Sequence, residues 1–315
     1  MTALYHGIAA DITRNCNLRC PFCLSDFSEY KPKGLIEDTT FDKLMSLLPL
    51  VEGPPSGEAT VLLSCLYEPS IHPRWLDLYE RVPEEHRKKC MFTTNLARIT
   101  DEEIDRLARL EFHHVNISVD SFVPEVYEGL RKGARFAPFM EHFTRLTTRM
   151  REDGATMGLH CVTVVTRENA AEVPEIVKRC AEEFGAKHHE VRAIYEIPHI
   201  DEGWKRSNVA PDEVWPDIQA FVAETPYSVS LEVPPESYYR DDAEPYSKTG
   251  EPPPKPEIGG RRFPLSLRFR SDGLVNLYAK DMYFDIDALE DPAEFFRSAA
   301  PVFLADRELV QPGTF

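Results

Sequence analysis

Cys16-Asn17-Leu18-Arg19-Cys20-Pro21-Phe22-Cys23 comes shortly after residues 7–13, a run that predicts a first β-strand. Three cysteines within eight residues suit three corners of a cubane iron–sulfur cluster. A ferredoxin-type cluster takes four thiolates, so a loop that offers three leaves one iron without a protein ligand. An open coordination position is what a catalytic metal site keeps for its substrate. The motif also falls where a first βα loop is expected.

Other uses of the cysteines fit less well. Zinc sites usually draw on two Cys/His pairs, and no second CxxC or HxxxH occurs downstream. A disulfide framework is disfavoured because seven cysteines in 315 residues are sparse and odd in number. The N-terminus lacks a signal peptide's basic and apolar regions, and no apolar run reaches the ~18 residues needed to span a bilayer. An oxygen-sensitive cluster needs a reducing compartment, so a soluble cytoplasmic enzyme without membrane contact is expected. The formal charge of −17 disfavours nucleic acid, whose phosphates require a basic footprint.

Up to about residue 195 strand-like and helix-like segments alternate, the pattern of βα units around a parallel sheet. Strands are expected at 7–13, 59–65, 89–93, 113–119, 158–165 and 187–194, with helices at 41–48, 73–82, 101–110, 137–150 and 170–184. Thr100, Glu103 and Ile104 read as a capping box that opens the third helix. The alternation then stops. Residues 212–223 look helical, 227–233 could form a strand, and 244–260 are rich in Pro and Gly, as in a linker. Beyond them, 265–270 and 274–279 flank Ser271-Asp272-Gly273 as a β-hairpin, and 291–299 look helical. Three units follow: an α/β domain at 1–196, a connecting segment at 197–260 and a small α+β extension at 261–315.

The spacing Cys-x3-Cys-x2-Cys resembles the signature of the radical S-adenosylmethionine (SAM) superfamily. The resemblance implies a partial (β/α)6 TIM-like barrel, with chemistry at the C-terminal ends of its strands. It implies a [4Fe–4S] cluster on Cys16, Cys20 and Cys23. The open iron chelates SAM, and one electron cleaves it to methionine and a 5′-deoxyadenosyl radical. A reductant such as flavodoxin or ferredoxin is the implied partner. The tail resembles a SPASM or twitch extension, whose hairpin carries auxiliary-cluster cysteines. No cysteine follows Cys180, so the extension is expected to cap the barrel without a cluster. An unrelated capping element is the other reading.

The same resemblance distributes the remaining site residues. Leu66-Tyr67-Glu68-Pro69 stands where the family has Gly-Gly-Glu-Pro, which gives Glu68 the SAM amino group and replaces both glycines. Thr94-Asn95 and Ser118-Val119-Asp120-Ser121 match strand-end motifs, and Phe22 and Val164 fall beside the adenosine. Arg131 matches an arginine that pairs with the SAM carboxylate, for which a guanidinium fork is well shaped. The plainer readings are a solvated loop acid for Glu68 and a surface helix residue for Arg131. Cys65 and Cys161 are candidate hydrogen-atom donors, with burial as small hydrophobes the alternative. His160, Glu190, Arg192, Tyr195 and Glu196 could face substrate, as could Arg268 and Arg270 on the hairpin. Cys90 and Cys180 read as buried structural thiols, and His113, His114, His188 and His189 as solvated residues at strand starts.

Hydrogen abstraction from a small polar metabolite, such as a sugar, nucleoside or sugar acid, is the leading functional expectation. Without thiolates for an auxiliary cluster, epimerisation, decarboxylation or elimination is expected over dehydrogenation. Modification of a ribosomally made peptide is the alternative. It ranks second because such enzymes often carry an N-terminal leader-recognition domain and auxiliary clusters in the tail, whereas here the motif begins at residue 16 and the tail lacks cysteines. An activase of a partner protein and a non-enzymatic iron–sulfur scaffold complete the range.

Overall fold

A computed structural model of the chain describes residues 4–23, 34–51, 59–64, 66–194, 200–210, 213–232, 265–277 and 283–305. The strands are β1 (Tyr5–Ala10), β2 (Val61–Leu62), β3 (Cys90–Thr94), β4 (His114–Ser118), β5 (Gly158–Val164), β6 (His188–Arg192), β7 (Val229–Glu232), β8 (Leu265–Phe269), β9 (Leu274–Leu277) and β10 (Tyr283–Asp285). The helices are α1 (Asp38–Leu47), α2 (Trp75–Glu80), α3 (Glu84–Arg87), α4 (Asp101–Leu107), α5 (Pro124–Leu130), α6 (Phe136–Glu152), α7 (Val173–Glu182), α8 (Glu202–Asn208), α9 (Val214–Glu224) and α10 (Pro292–Ala305). None of the described helices is long and apolar enough to cross a membrane.

The ten strands among the described residues form one sheet in the order β10-β9-β8-β1-β2-β3-β4-β5-β6-β7. From β8 to β7 every neighbouring pair is parallel, whereas β9 pairs antiparallel with both β8 and β10. Strands covered on both faces carry apolar side chains on both, and β4 is buried along its whole length. The capping box forms as the sequence indicates: Thr100 Oγ1 accepts the Glu103 N–H at 3.2 Å while the Glu103 carboxylate reaches back to Thr100. Below β3, Trp75, Tyr79, Phe92 and Phe112 pack with ring centroids 5.0–6.1 Å apart. Such tilted and edge-on ring pairs each contribute about 0.5–1.5 kcal/mol beyond their buried area.

Two features depart from the sequence reading. The alternation continues past residue 195, because β7 joins β6 in parallel after α8 and α9. Its burial alternates along the strand, as suits the edge of a sheet. The tail hairpin, moreover, extends the sheet itself, since β8 lies alongside β1 from Tyr5↔Leu265 to Ala10↔Phe269. Leu267, Phe269 and Phe296 are fully buried, and the Tyr5 hydroxyl donates to the Phe296 carbonyl at 2.7 Å. Lys43 of α1 donates to the carbonyls of Ile286, Asp287 and Leu289, which ties the tail to the first helix.

Candidate active site

Parallel strands point their carboxyl ends the same way, so the loops that follow them meet at one rim. Cys16, Cys20 and Cys23 after β1, Leu66–Glu68 after β2, Thr94 and Asn95 at the end of β3, and Ser118 at the end of β4 line one cavity there. Val162 and Val164 of β5 and residues 192–194 at the end of β6 complete it. The cysteine loop is held by its own backbone and by the loop after α5. Leu18 N–H points at Cys16 Sγ at 3.4 Å, and Cys23 N–H donates to the Cys20 carbonyl at 3.1 Å. Arg19 N–H donates to the Lys132 carbonyl at 2.9 Å. Gly133 makes that approach possible: its φ is 102°, and a Cβ there would sit 3.4 Å from the Asn17 carbonyl.

Glu68 is 2% exposed, not a solvated loop acid. Its carboxylate accepts from Thr94 Oγ1 at 2.8 Å, the Asn95 N–H at 2.7 Å, the Ser70 N–H at 3.2 Å and Ser70 Oγ at 2.8 Å. Burial raises its pKa despite these four donors, which pull the other way. A buried carboxylate at a cavity wall is a receptor for a cationic amine.

Arg131 lies at the end of α5 and is 9% exposed, not on the surface. Its Nε donates to Asp120, its Nη1 stands 3.8 Å from Cys20 Sγ, and its guanidinium carbon lies 5.5 Å from the Phe22 ring centroid. Asp120 was expected to touch the cofactor, and here the structure corrects the sequence. The residue is fully buried behind Arg131, its other oxygen accepts the Val164 N–H at 2.8 Å, and it does not line the cavity. Asp120 is therefore a positioning residue that fixes Arg131 and the end of β5.

This donor set fits an iron–sulfur cluster with a bound amino-acid group. Burial pushes the Cys16 thiol up to about 12, the Glu68 carboxylate adds to it, and burial raises Cys20 as well. Thiolates held this close need the positive charge that iron supplies. Glu68 and Arg131 offer one anion and one cation on the same wall, matching an ammonium and a carboxylate. The family profile of the radical SAM superfamily matches residues 11–180, more than half of the chain. The chain belongs to the radical SAM superfamily. A [4Fe–4S] cluster and SAM are therefore its cofactors, and together they supply a one-electron reduction that generates a carbon radical.

Among radical SAM proteins, the chain is 27% identical over 170 residues to the tungsten-containing aldehyde ferredoxin oxidoreductase cofactor-modifying protein of Pyrococcus furiosus. It is 26% identical over 179 residues to the mycofactocin maturase MftC of Mycobacterium tuberculosis. These matches take in 53% and 56% of this chain but only 46% and 41% of the relatives, so the chain spans less than half of their length. The solved structure of Streptococcus suis SuiB bound to S-adenosylmethionine superposes with a TM-score of 0.60 at 14% identity, covering 94% of this chain and 68% of SuiB. Native anSMEcpe with bound AdoMet gives 0.59 at 16% identity, covering 92% of this chain and 80% of that one. Both show that the fold is shared.

The structure gathers Phe22, Glu68, Thr94, Asn95, Ser118, Arg131, Val164 and Arg192 at this radical SAM cavity with the three cysteines. It separates others. Side chains alternate along a strand, so Val162 and Val164 face the cavity while Cys161 points to the helix side, fully buried against the core. Cys161 is thus removed from the candidate hydrogen donors. His160 sits lower on the inner face and stacks on His114 at 3.9 Å, away from the rim. Glu190 does not line the cavity but pairs with Arg192, which does. Arg268 pairs with Asp11 at 2.8 Å and Arg270 with Asp272 at 2.5 Å in an adjoining recess. Cys65, Tyr195 and Glu196 lie outside the described residues. The histidines at the strand starts are a further correction, because His114 and His189 are buried. Trp204 of α8, whose ring centroid lies 6.3 Å from that of Phe22, has no sequence signal beyond a lone aromatic after the last expected strand.

Proposed function

We propose that this radical SAM enzyme modifies a peptide-like precursor in the maturation of a peptide or cofactor, abstracting hydrogen from a substrate larger than a free sugar or nucleoside. One observation carries the reading. A recess lined by Asp11, Arg14, Arg268, Arg270 and Tyr283 shares Leu66 and Tyr67 with the cofactor cavity, so a substrate longer than one ring can span both. The ion pairs Arg14–Asp272, Arg268–Asp11 and Arg270–Asp272 give that recess alternating charges suited to peptide carboxylates and amides. One curated relative is named for modifying a cofactor and the other as a maturase, which supports this reading over the small metabolite expected from sequence. SuiB, which shares the fold, is known bound to its precursor peptide SuiA.

In this proposal Cys16, Cys20 and Cys23 hold the cluster, Glu68 takes the SAM ammonium and Arg131 its carboxylate. Phe22, Ser118 and Val164 enclose the adenosine, and Thr94 and Asn95 hold Glu68 in place. Arg192, steadied by Glu190, and the recess arginines orient the substrate. The test uses reconstituted protein with SAM and a reductant, against candidate precursor peptides encoded nearby and a panel of sugars and nucleosides. Peptide-dependent 5′-deoxyadenosine with a mass change in the peptide is expected. Stimulation by a sugar or nucleoside alone would restore the metabolite reading.

A further inference from the structure

We propose that Cys161, Cys180 and His189 form a second metal site, holding one zinc(II) ion between β5, α7 and β6. One donor atom from each residue lies within 4.8 Å of the other two, and all three residues are buried. The topology places them together. Cys161 and His189 are directly opposed in the β5–β6 register, so both project to the same, helix-covered face. Cys180 descends onto that face from α7, the helix that connects the two strands, and its thiol lies within 4.8 Å of that of Cys161.

The histidine supplies an independent sign of a missing ligand. His189 is 2% exposed, and its Nδ1 has no hydrogen-bond partner although it is buried. The Thr163 hydroxyl donates its one proton to the Val119 carbonyl at 2.5 Å. Its oxygen must therefore accept from His189 Nε2–H, 2.8 Å away. That bond fixes the tautomer and leaves Nδ1 with a free lone pair inside the protein. Metal-bound histidines are oriented in this way, with the distal N–H donated to a fixed oxygen.

Charge selects the ion. Binding zinc(II) expels one proton from each thiol, and two thiolates with a neutral imidazole then cancel the charge of the metal. A neutral complex is what a dry site tolerates, whereas copper(I) would leave a net negative charge there. Thiolate and imidazole are ordinary zinc donors, and these three residues supply three corners of a tetrahedron. The site lies outside the radical SAM cavity and clamps one βαβ unit, so it is independent of the proposed function.

The experiment uses the full chain with Cys16→Ala, Cys20→Ala and Cys23→Ala, which removes the loop thiols as an alternative zinc site. The protein is refolded anaerobically with zinc(II), or with cobalt(II) as a spectroscopic probe, and desalted. About one retained equivalent of zinc is expected, a sulfur-to-cobalt charge-transfer band, and a thermal midpoint that drops when metal is withheld during refolding. Adding Cys180→Ser, or separately His189→Gln, should abolish the retained metal while the far-ultraviolet circular dichroism stays folded. If either variant fails to fold, the thermal shift and cobalt band of the parent triple variant decide. Less than about a tenth of an equivalent of zinc in the triple variant overturns the site. Metal content unmoved by Cys180→Ser, or a Cys161–Cys180 disulfide in the native protein, overturns it too.

Discussion

Arg131 and Asp120 show how a single ion pair serves two tasks. The pair is almost wholly buried, and Asp120 also holds the Val164 N–H at the cavity wall. Taking away either partner leaves the other charge stranded, at a cost of about 3–5 kcal/mol for a buried pair. Arg131→Ala should raise the apparent KM for SAM about ten- to a hundredfold, the loss of a charge-assisted hydrogen-bonded pair, with cluster iron unchanged. Steady-state kinetics beside iron analysis checks this, and unaltered SAM affinity would detach Arg131 from the cofactor. Asp120→Asn should lower the thermal midpoint and weaken SAM together, because it loosens the guanidinium and the end of β5. Replacing Cys16, Cys20 and Cys23 with alanine should abolish iron binding and SAM cleavage at once. About four irons per chain surviving in that variant would place a cluster elsewhere.

At the level of elements, much was legible because the signals are local. The spacing of the three cysteines, the capping box at Thr100 and the Asp272-Gly273 turn each lie within a few residues; the cap and the turn are built as read, and the three cysteines line one cavity. The partner of a strand and the facing of its side chains are not local. Nothing in residues 265–269 names β1 as a neighbour some 260 positions away, and nothing in 158–164 says which pleat carries Cys161 outward. The strand-start histidines were missed for the same reason, since the sheet draws His113, His114, His160 and His188 into one cluster at the amino ends of β4, β5 and β6. Burial pushes His114 down to about 2 and His160 to about 4, with the neighbouring imidazoles adding to the effect. Both folded values lie below the ordinary value of about 6.5, so the unfolded chain takes up protons that the folded chain refuses. Stability is fully present above about pH 6.5 and falls as acid is added, at up to about 1.4 kcal/mol per pH unit for a buried histidine such as His114. Denaturant unfolding between about pH 7 and 4.5 should show this slope, and His114→Asn should flatten it. A slope that His114→Asn leaves unchanged would assign the acid sensitivity to other groups.

For the whole molecule, the tail is part of the sheet that carries the active site. β8 supplies the outer hydrogen-bonding partner of β1, the strand that delivers the cysteine loop, and α10 covers Tyr5 with Phe296 at a centroid distance of 6.2 Å. A lid over the barrel mouth could be removed at the expense of coupling alone, with SAM cleaved and no product formed. Removing a strand from the sheet does more. It opens the edge of β1 to other chains, strips the Phe296 ring from Tyr5, and frees the Lys43 contacts to residues 286–289. It also takes the Arg268 cation away from the Asp11 carboxylate, 3% exposed, beside the cavity. Truncation before Gly259 should therefore yield aggregated protein with little bound iron, not a soluble enzyme that merely uncouples. Tyr5→Phe is the milder probe of the same interface. It deletes one buried hydrogen bond to a carbonyl inside α10 and should cost about 0.5–1.5 kcal/mol without altering the iron content. Size-exclusion chromatography with iron analysis separates the possibilities: a truncated chain that runs as a monomer with its full cluster would return the tail to the role of a detachable lid.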